Sequence, residues 1–408
     1  MIVNFKKLET YRPEIKLIES GTTIGSIVRW QRKRKNMTLN EGAEGICSIS
    51  YLSKVENNLI EPSEQILDDL KKRFDLESLL NYDLKRYEED YNHIVESLFY
   101  DKEIPSIYFK IYESNSDYKS KLVLFSYYLS RKNLIRAKSI YKDLEFEISK
   151  FNHNEINFFY LQTAIMLIEE GRYYLALKVL KLSKVINENS TLSMTIDYYK
   201  VDLKLKLGKF MKAFDLSENL EKRLIKNDNI ERYRKLLKLK LFYSVNEYEY
   251  EFSINQIDKH QYISKRDKEK IKTFLKLNHN QKINNSVMEK NIHDSNRWYL
   301  MALLHFDSCE NYEKIKEIMD KSTRFSSNAI NQQVEFFLDS KYNLDSDSFT
   351  RYVRNMTTNF ENNYNGSYLI SILLENASNY YENKAFYKSA NSIRKYAREL
   401  ALNLKRMT

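Results

Sequence analysis

From about residue 80 to the end of the chain, apolar positions recur at spacings of three and four rather than two. That pattern predicts consecutive α-helices. Short polar breaks separate them, as at 130–133, 170–172 and 207–209. The breaks are periodic. Ala137, Ala176 and Ala213 lie 39 and 37 residues apart, each five residues after Lys132, Gly171 or Gly208. A large apolar residue (Leu134, Tyr173 or Phe210) comes two positions after each break, and a further copy is read at Ala385, Tyr387 and Ala390. A turn, then a large residue, then a small one suits paired antiparallel helices. The alanine lets the two helices approach, and the large residue fills the gap to the next pair. One pair cannot bury its apolar face alone, so the pairs are expected to stack into a superhelical array.

Residues 21–76 read differently. Gly21, Gly25, Gly42, Gly45 and Pro62 punctuate short segments. A first helix is expected from about 23 to 35, with Ile24, Ile27 and Val28 inward. Thr38-x-x-Glu41 is a capping box that opens a second helix. Ser48 is a good N-cap for a third, in which Tyr51, Leu52 and Val55 supply apolar contacts. Pro62 and Ser63 precede a fourth, carrying Ile66, Leu67, Leu70 and Phe74. Four short helices with a tight connection between the second and third describe a helix-turn-helix domain. The expected fold class is all-α. An arm at 1–20 precedes the helix-turn-helix domain at 21–76, then a linker helix at 77–95 and the helix-pair array at 96–408.

Composition narrows the chemistry. Seven Gly and three Pro in 408 residues, about 2.5% against about 12% in average proteins, exclude turn-dense β folds and leave no glycine-rich phosphate loop. Two cysteines, Cys47 and Cys309, cannot build a disulfide framework. The charged N-terminus lacks a secretion signal, and no 18-residue window is apolar enough for a membrane span, so a cytoplasmic protein is expected. The net charge of +10 suits a polyanionic partner. His305 and Cys309 share a helix face, but no second ligand pair matches them, and core packing is expected. Asp345-Ser346-Asp347 lacks the rest of a calcium loop and reads as an N-cap for the helix carrying Phe349 and Tyr352. No nucleophile motif is present, so no enzyme, metal or cofactor is expected.

The run GICSISYLSKVEN, Gly45 to Asn57, with Thr38, Glu41, Pro62 and Ser63 around it, resembles the Xre-type helix-turn-helix family. It is closest to the subset in Gram-positive bacteria where this domain precedes tetratricopeptide-like repeats, the peptide-pheromone (RRNPP, Rgg/PlcR-like) regulators. Tyr160, Ala164 and Ala176 match the repeat best. Gly42 stands where the family has a buried Leu, which is expected to cost packing, and Leu39 stands where a phosphate-contacting Gln is common.

A helix in the major groove presents its N-terminal half to base edges. On the third helix those positions are Ile49, Ser50, Ser53 and Lys54, with Thr38 and Ser48 at the helix starts beside them. Arg29, Arg32, Lys33, Arg34 and Lys35 are expected to meet phosphates. The resemblance implies a transcription regulator that binds double-stranded DNA as a homodimer and is controlled by a short signalling peptide. Inner-face positions of the array expected to hold that peptide are Ser126, Tyr198, Asp202, Glu375 and Asn379, with Gln162 and Asn376 beside them. The alternative is a repeat domain that serves as a protein-interaction scaffold without peptide control.

Overall fold

The computed structural model describes residues 3–11, 24–57, 59–74, 76–113, 117–244, 250–278, 281, 283–322, 325, 328–358 and 368–406. Among these residues every long element is an α-helix and none is a strand. The N-terminal helices are α1 (Phe5–Thr10), α2 (Ile24–Arg34), α3 (Leu39–Ala43), α4 (Ile49–Glu56) and α5 (Glu64–Phe74). A long α6 (Leu76–Phe99) and a short α7 (Ile107–Tyr112) lead to α8 (Tyr118–Ser130), α9 (Leu134–Glu147), α10 (His153–Glu169) and α11 (Tyr173–Leu182). Then come α12 (Thr191–Lys206), α13 (Phe210–Lys226), α14 (Ile230–Ser244), α15 (Tyr250–Lys259), α16 (Lys265–Asn278) and α17 (Asn285–Asn291). The chain ends in α18 (Asn296–Ser308), α19 (Tyr312–Lys321), α20 (Ala329–Asn343), α21 (Ser346–Thr358), α22 (Tyr368–Asn383) and α23 (Tyr387–Arg406). No helix among the described residues is long and apolar enough to cross a membrane.

The periodic breaks are one recurring turn. Lys132, Gly171, Gly208, Glu310 and Ala385 all have positive φ, from 55° to 74°. In each case the following N–H reaches the carbonyl five residues back: Asn133 to Tyr128, Arg172 to Leu167, Lys209 to Lys204, Asn311 to Phe306 and Phe386 to Tyr381. This is the left-handed helix stop that satisfies the last carbonyls of one helix and reverses the chain into the next. Asn133 and Asn311 then cap the new helices, each accepting a backbone N–H from the third residue on. Ala137, Ala176, Ala213 and Ala390 are all buried. Helices α8 and α9 lie side by side, as do α18 and α19, and α22 and α23.

The chain divides into two compact units, Met1–Met166 with Lys181–Ser193, and Leu167–Leu180 with Met194–Thr408. In the first, part of the N-terminal arm is helical and docked. Leu8 of α1 is fully buried, and its carbonyl accepts the Tyr160 hydroxyl at 2.7 Å. Residues 12–23 lie outside the described residues. Helix α6 is fastened by tyrosine hydroxyls. Tyr87 donates to Glu155, Tyr91 to the Asn154 carbonyl, and Tyr112 of α7 to Asp90.

In the second unit, Phe242 stacks on Phe274 with ring centres 4.0 Å apart. A fully buried ion pair joins α20 to α18, with Lys341 Nζ 2.5 Å from Asp307 Oδ1. Tyr342 and Asn376 also donate to that carboxylate, which satisfies the oxygens that burial removes from water. Asp345 caps α21 by accepting the N–H groups of Asp347 and Ser348, and Phe349 is buried behind it. His305 is buried and bonded to Asn285, whereas Cys309 is exposed. No three His, Cys, Asp or Glu side chains gather as metal ligands among the described residues.

Candidate functional site

Local sequence builds the ends of α3 and α4. Thr38 Oγ1 accepts the Glu41 N–H at 3.2 Å, and Glu41 Oε2 accepts the Thr38 N–H at 2.6 Å. The bond from the Thr38 N–H, with the Thr38 hydroxyl beside it, favours the charged carboxylate and holds Glu41 below the usual carboxylate range. Ser48 Oγ caps α4 by accepting the Tyr51 N–H at 3.1 Å. Between the helices the chain turns at Gly45, with φ +74°, where a side chain would strain the backbone. Arg73 at the end of α5 donates to the carbonyls of Glu41 and Glu44, at 3.0 and 2.7 Å, and so closes the turn. Burial pushes the Cys47 thiol in this turn upward. Val28, Ala43, Leu52, Val55, Leu70 and Phe74 form the core beneath.

Gly42 leaves no hole. A Cβ there would stand 2.7 Å from Arg32 Cδ and 3.2 Å from both Leu52 and Phe74. Those side chains already fill the space expected for a leucine. Arg32 is therefore part of the core. It is 8% exposed, its Nε and Nη2 grip Glu56 of α4 at 2.6 and 2.8 Å, and its Nη1 donates to the Met37 carbonyl at 2.7 Å. This corrects its assignment to phosphate, since the guanidinium is turned inward onto Glu56 and the Met37 carbonyl. Arg29 bonds Asn57, the C-cap of α4, at 3.1 Å. Lys33 and Lys35 are exposed, and Lys35 also reaches the Arg73 carbonyl. The side chain of Arg34 lies outside the described residues.

With Leu52, Val55 and Glu56 turned inward, α4 turns Ile49, Ser50 and Lys54 to solvent, with Ser53 half-buried beside them. Ile49 is 48% exposed, unusual for an isoleucine flanking a core. Ser48 and Thr38 are exposed at the two helix starts. A row of one apolar, two hydroxyl and one cationic side chain matches what base edges offer: a thymine methyl, mixed donors and acceptors, and guanine O6 and N7.

Residues 28–79 match the family model for the helix-turn-helix. They are a helix-turn-helix domain. No curated protein matches the chain. The chain is similar to a crystal structure of Bacillus thuringiensis PlcR in complex with the peptide PapR7 and DNA, at 16% identity, over 77% of this chain and 99% of that one, with a TM-score of 0.23.

The expected peptide contacts are placed less favourably. Ser126 and Gln162 meet, but inside the packing, 1% and 0% exposed, with Gln162 Nε2 donating to Ser126 Oγ and to the Leu122 carbonyl. They join α8 to α10 and present no polar group to a groove. Asn376 is bonded to Asp307. Asp202 is buried and paired with Lys206 at 2.7 Å. Tyr198 lies under the Arg232 guanidinium, 4.4 Å from its ring centre. Glu375 and Asn379 are exposed on α22. Arg73 went unnoticed in the sequence because a cation at a helix end reads as a match to the helix dipole.

Proposed function

We propose that this protein is a transcription regulator that reads operator DNA with α4, acts as a homodimer in the cytoplasm and is controlled by a short peptide held by its helix pairs. The carrying observation is the outward row on α4, Ile49, Ser50, Ser53 and Lys54, set on a capped, ion-paired scaffold with Lys33 and Lys35 exposed. A scaffold role alone would not need an apolar Ile49 turned to solvent between Ser48 and Ser50. The peptide part is supported by the resemblance of the GICSISYLSKVEN run and by the helix pairs that follow it. Selection of bound duplexes from a random pool, then gel shifts with Ile49→Ala and Lys54→Ala, tests the first part. Lys54→Ala is expected to lose about 1–3 kcal/mol of specific binding if its contact is bidentate and Ile49→Ala to lose specific affinity as well, and wild-type affinity in both would overturn it. Mass spectrometry of peptides co-purified with the full chain tests the second.

A further inference from the structure

A helix as short as α1, six residues, does not persist by itself in water, so it exists because of what it is docked on. Helix ends leave N–H and C=O groups unpaired, and here α9 and α10 supply partners at both ends. At the start, the Asn4 N–H donates to Glu145 of α9 at 3.3 Å, on the same carboxylate oxygen that accepts the Tyr141 hydroxyl. At the end, the Leu8 carbonyl accepts the hydroxyl of Tyr160, a fully buried residue of α10. Leu8 itself is fully buried, and the Lys7 ammonium stands 4.6 Å from the centre of the Phe146 ring. The same stretch of α10 also holds α6, through Tyr91 on the Asn154 carbonyl and Tyr87 on the Glu155 carboxylate. Glu155 and Tyr160 are about 140° apart round a helix, so α6 and α1 meet α10 on different sides.

The helix-turn-helix domain, α2–α5, lies between α1 and α6 in the chain. On the α6 side, the first hydroxyl fastening to α10 among the described residues is Tyr87. It stands about 16 Å of helix beyond Leu76, so the domain is carried at the far end of a lever. On the α1 side, residues 12–23 join Tyr11 to Ile24, a span of at most about 45 Å. We propose that α1 is a strap: with α6 it ties the helix-turn-helix domain to α10 at both ends of the domain's chain, and so limits the orientations in which α4 is offered. Two ties leave a body far fewer orientations than one. Orientation fixed before binding lowers the ordering cost of association, and two copies so held would accept a narrower range of half-site spacings. That effect on DNA rests on the reading of α4 above, whereas the strap itself does not.

The test uses the full chain with Cys47→Ser and Cys309→Ser, and spin labels at Gln65→Cys in α5 and Ser139→Cys in α9, both exposed positions. Dilution with unlabelled chain restricts the measured distances to one copy. The otherwise unchanged chain is expected to give one narrow distance distribution. Inserting about twenty Gly and Ser residues between Glu19 and Ser20 leaves α1 docked but slackens its connection, and should widen the distribution at least twofold. Leu8→Asp, which puts a charge in a buried site, should release α1 and widen it as much. Amide exchange separates the two variants, with α1 protected in the first and unprotected in the second. A distribution that the insertion does not widen, or an α1 that exchanges freely in the unaltered chain, overturns the strap. With duplex, the unaltered chain is expected to prefer its selected site at least fivefold over the same site with one base pair added between the half-sites, and the insertion variant to lose that preference. A preference that survives the insertion overturns the strap's effect on DNA. If the unaltered chain binds no duplex, the reading of α4 fails, and the distances still decide the strap.

Discussion

At the scale of single residues, caps were legible and the roles of cations were not. A cap is local: Thr38 needs only Glu41, and Ser48 only the N–H three residues on. A cation's role depends on what faces it across the fold. Helical phase held a clue, since Arg32 lies four residues after the buried Val28, and Glu56 four after the buried Leu52. Opposite charges on two inward phases foretell an ion pair. Arg32→Ala should therefore leave Glu56 buried and unpaired, at a cost of about 3–5 kcal/mol. Amide protection across α2–α5 and DNA binding at every salt concentration should fall together. Lys33→Ala should keep that protection and flatten the salt dependence of DNA affinity by about 0.9 in the log–log slope if it meets one phosphate. An Arg32→Ala domain that stays protected would show the ion pair to be dispensable. Gly42→Leu, which restores the family's usual residue, should destabilise the domain by about 1–3 kcal/mol, because Arg32 and Phe74 occupy the site. Denaturant unfolding measures this, and a stabilised variant would mean that the pocket opens.

At the scale of elements, the helix pairs were legible because their turns repeat. Ala385, with φ 62°, takes the position that Gly171 and Gly208 fill elsewhere. Ala385→Gly should stabilise the α22–α23 turn by up to about 1 kcal/mol, seen as slower amide exchange in both helices. Helix α6 was read at 77–95 but runs Leu76–Phe99, since no Gly or Pro marks either end. Its fastening was not legible, because Tyr87 and Glu155 are 68 residues apart. Burial holds Glu155 above the ordinary carboxylate range, against the pull of Lys119, the Asn152 N–H and the hydroxyls of Tyr87 and Tyr118. A carboxyl raised in the folded state binds its proton more tightly there than in the unfolded chain. Its contribution is full below the ordinary carboxylate range and is lost as pH rises through the raised value. The stability of wild type relative to Glu155→Gln should therefore fall across that window. A difference that is flat or grows with pH would show that Glu155 is not held protonated.

At the scale of the whole molecule, the sequence reading of an inner polar face depended on register. The structure moves Ser126 and Gln162 into the packing and leaves Glu375 and Asn379 exposed on α22. At the DNA end, one α4 offers four side chains to a groove, enough for a few base pairs. The net charge of +10 adds affinity for any duplex but no discrimination. Specific binding therefore calls for two copies of the chain on a site with matching twofold symmetry. Two recognition helices in successive major grooves on one side of a duplex stand about 34–36 Å apart, one helical turn, or a multiple of it. Sites selected from a random pool should be pseudo-palindromes with half-site centres about 10–10.5 base pairs apart, or a multiple of that spacing. Inserting five base pairs between the half-sites turns the second site to the opposite side of the duplex. It should reduce affinity to that of a single half-site, unless the chain between α5 and the helix pairs yields. Sedimentation of the complex should show two protein copies per selected site. A selected site without internal symmetry, bound by one copy and indifferent to the insertion, would refute the dimeric reading and leave α4 as a lone recognition helix.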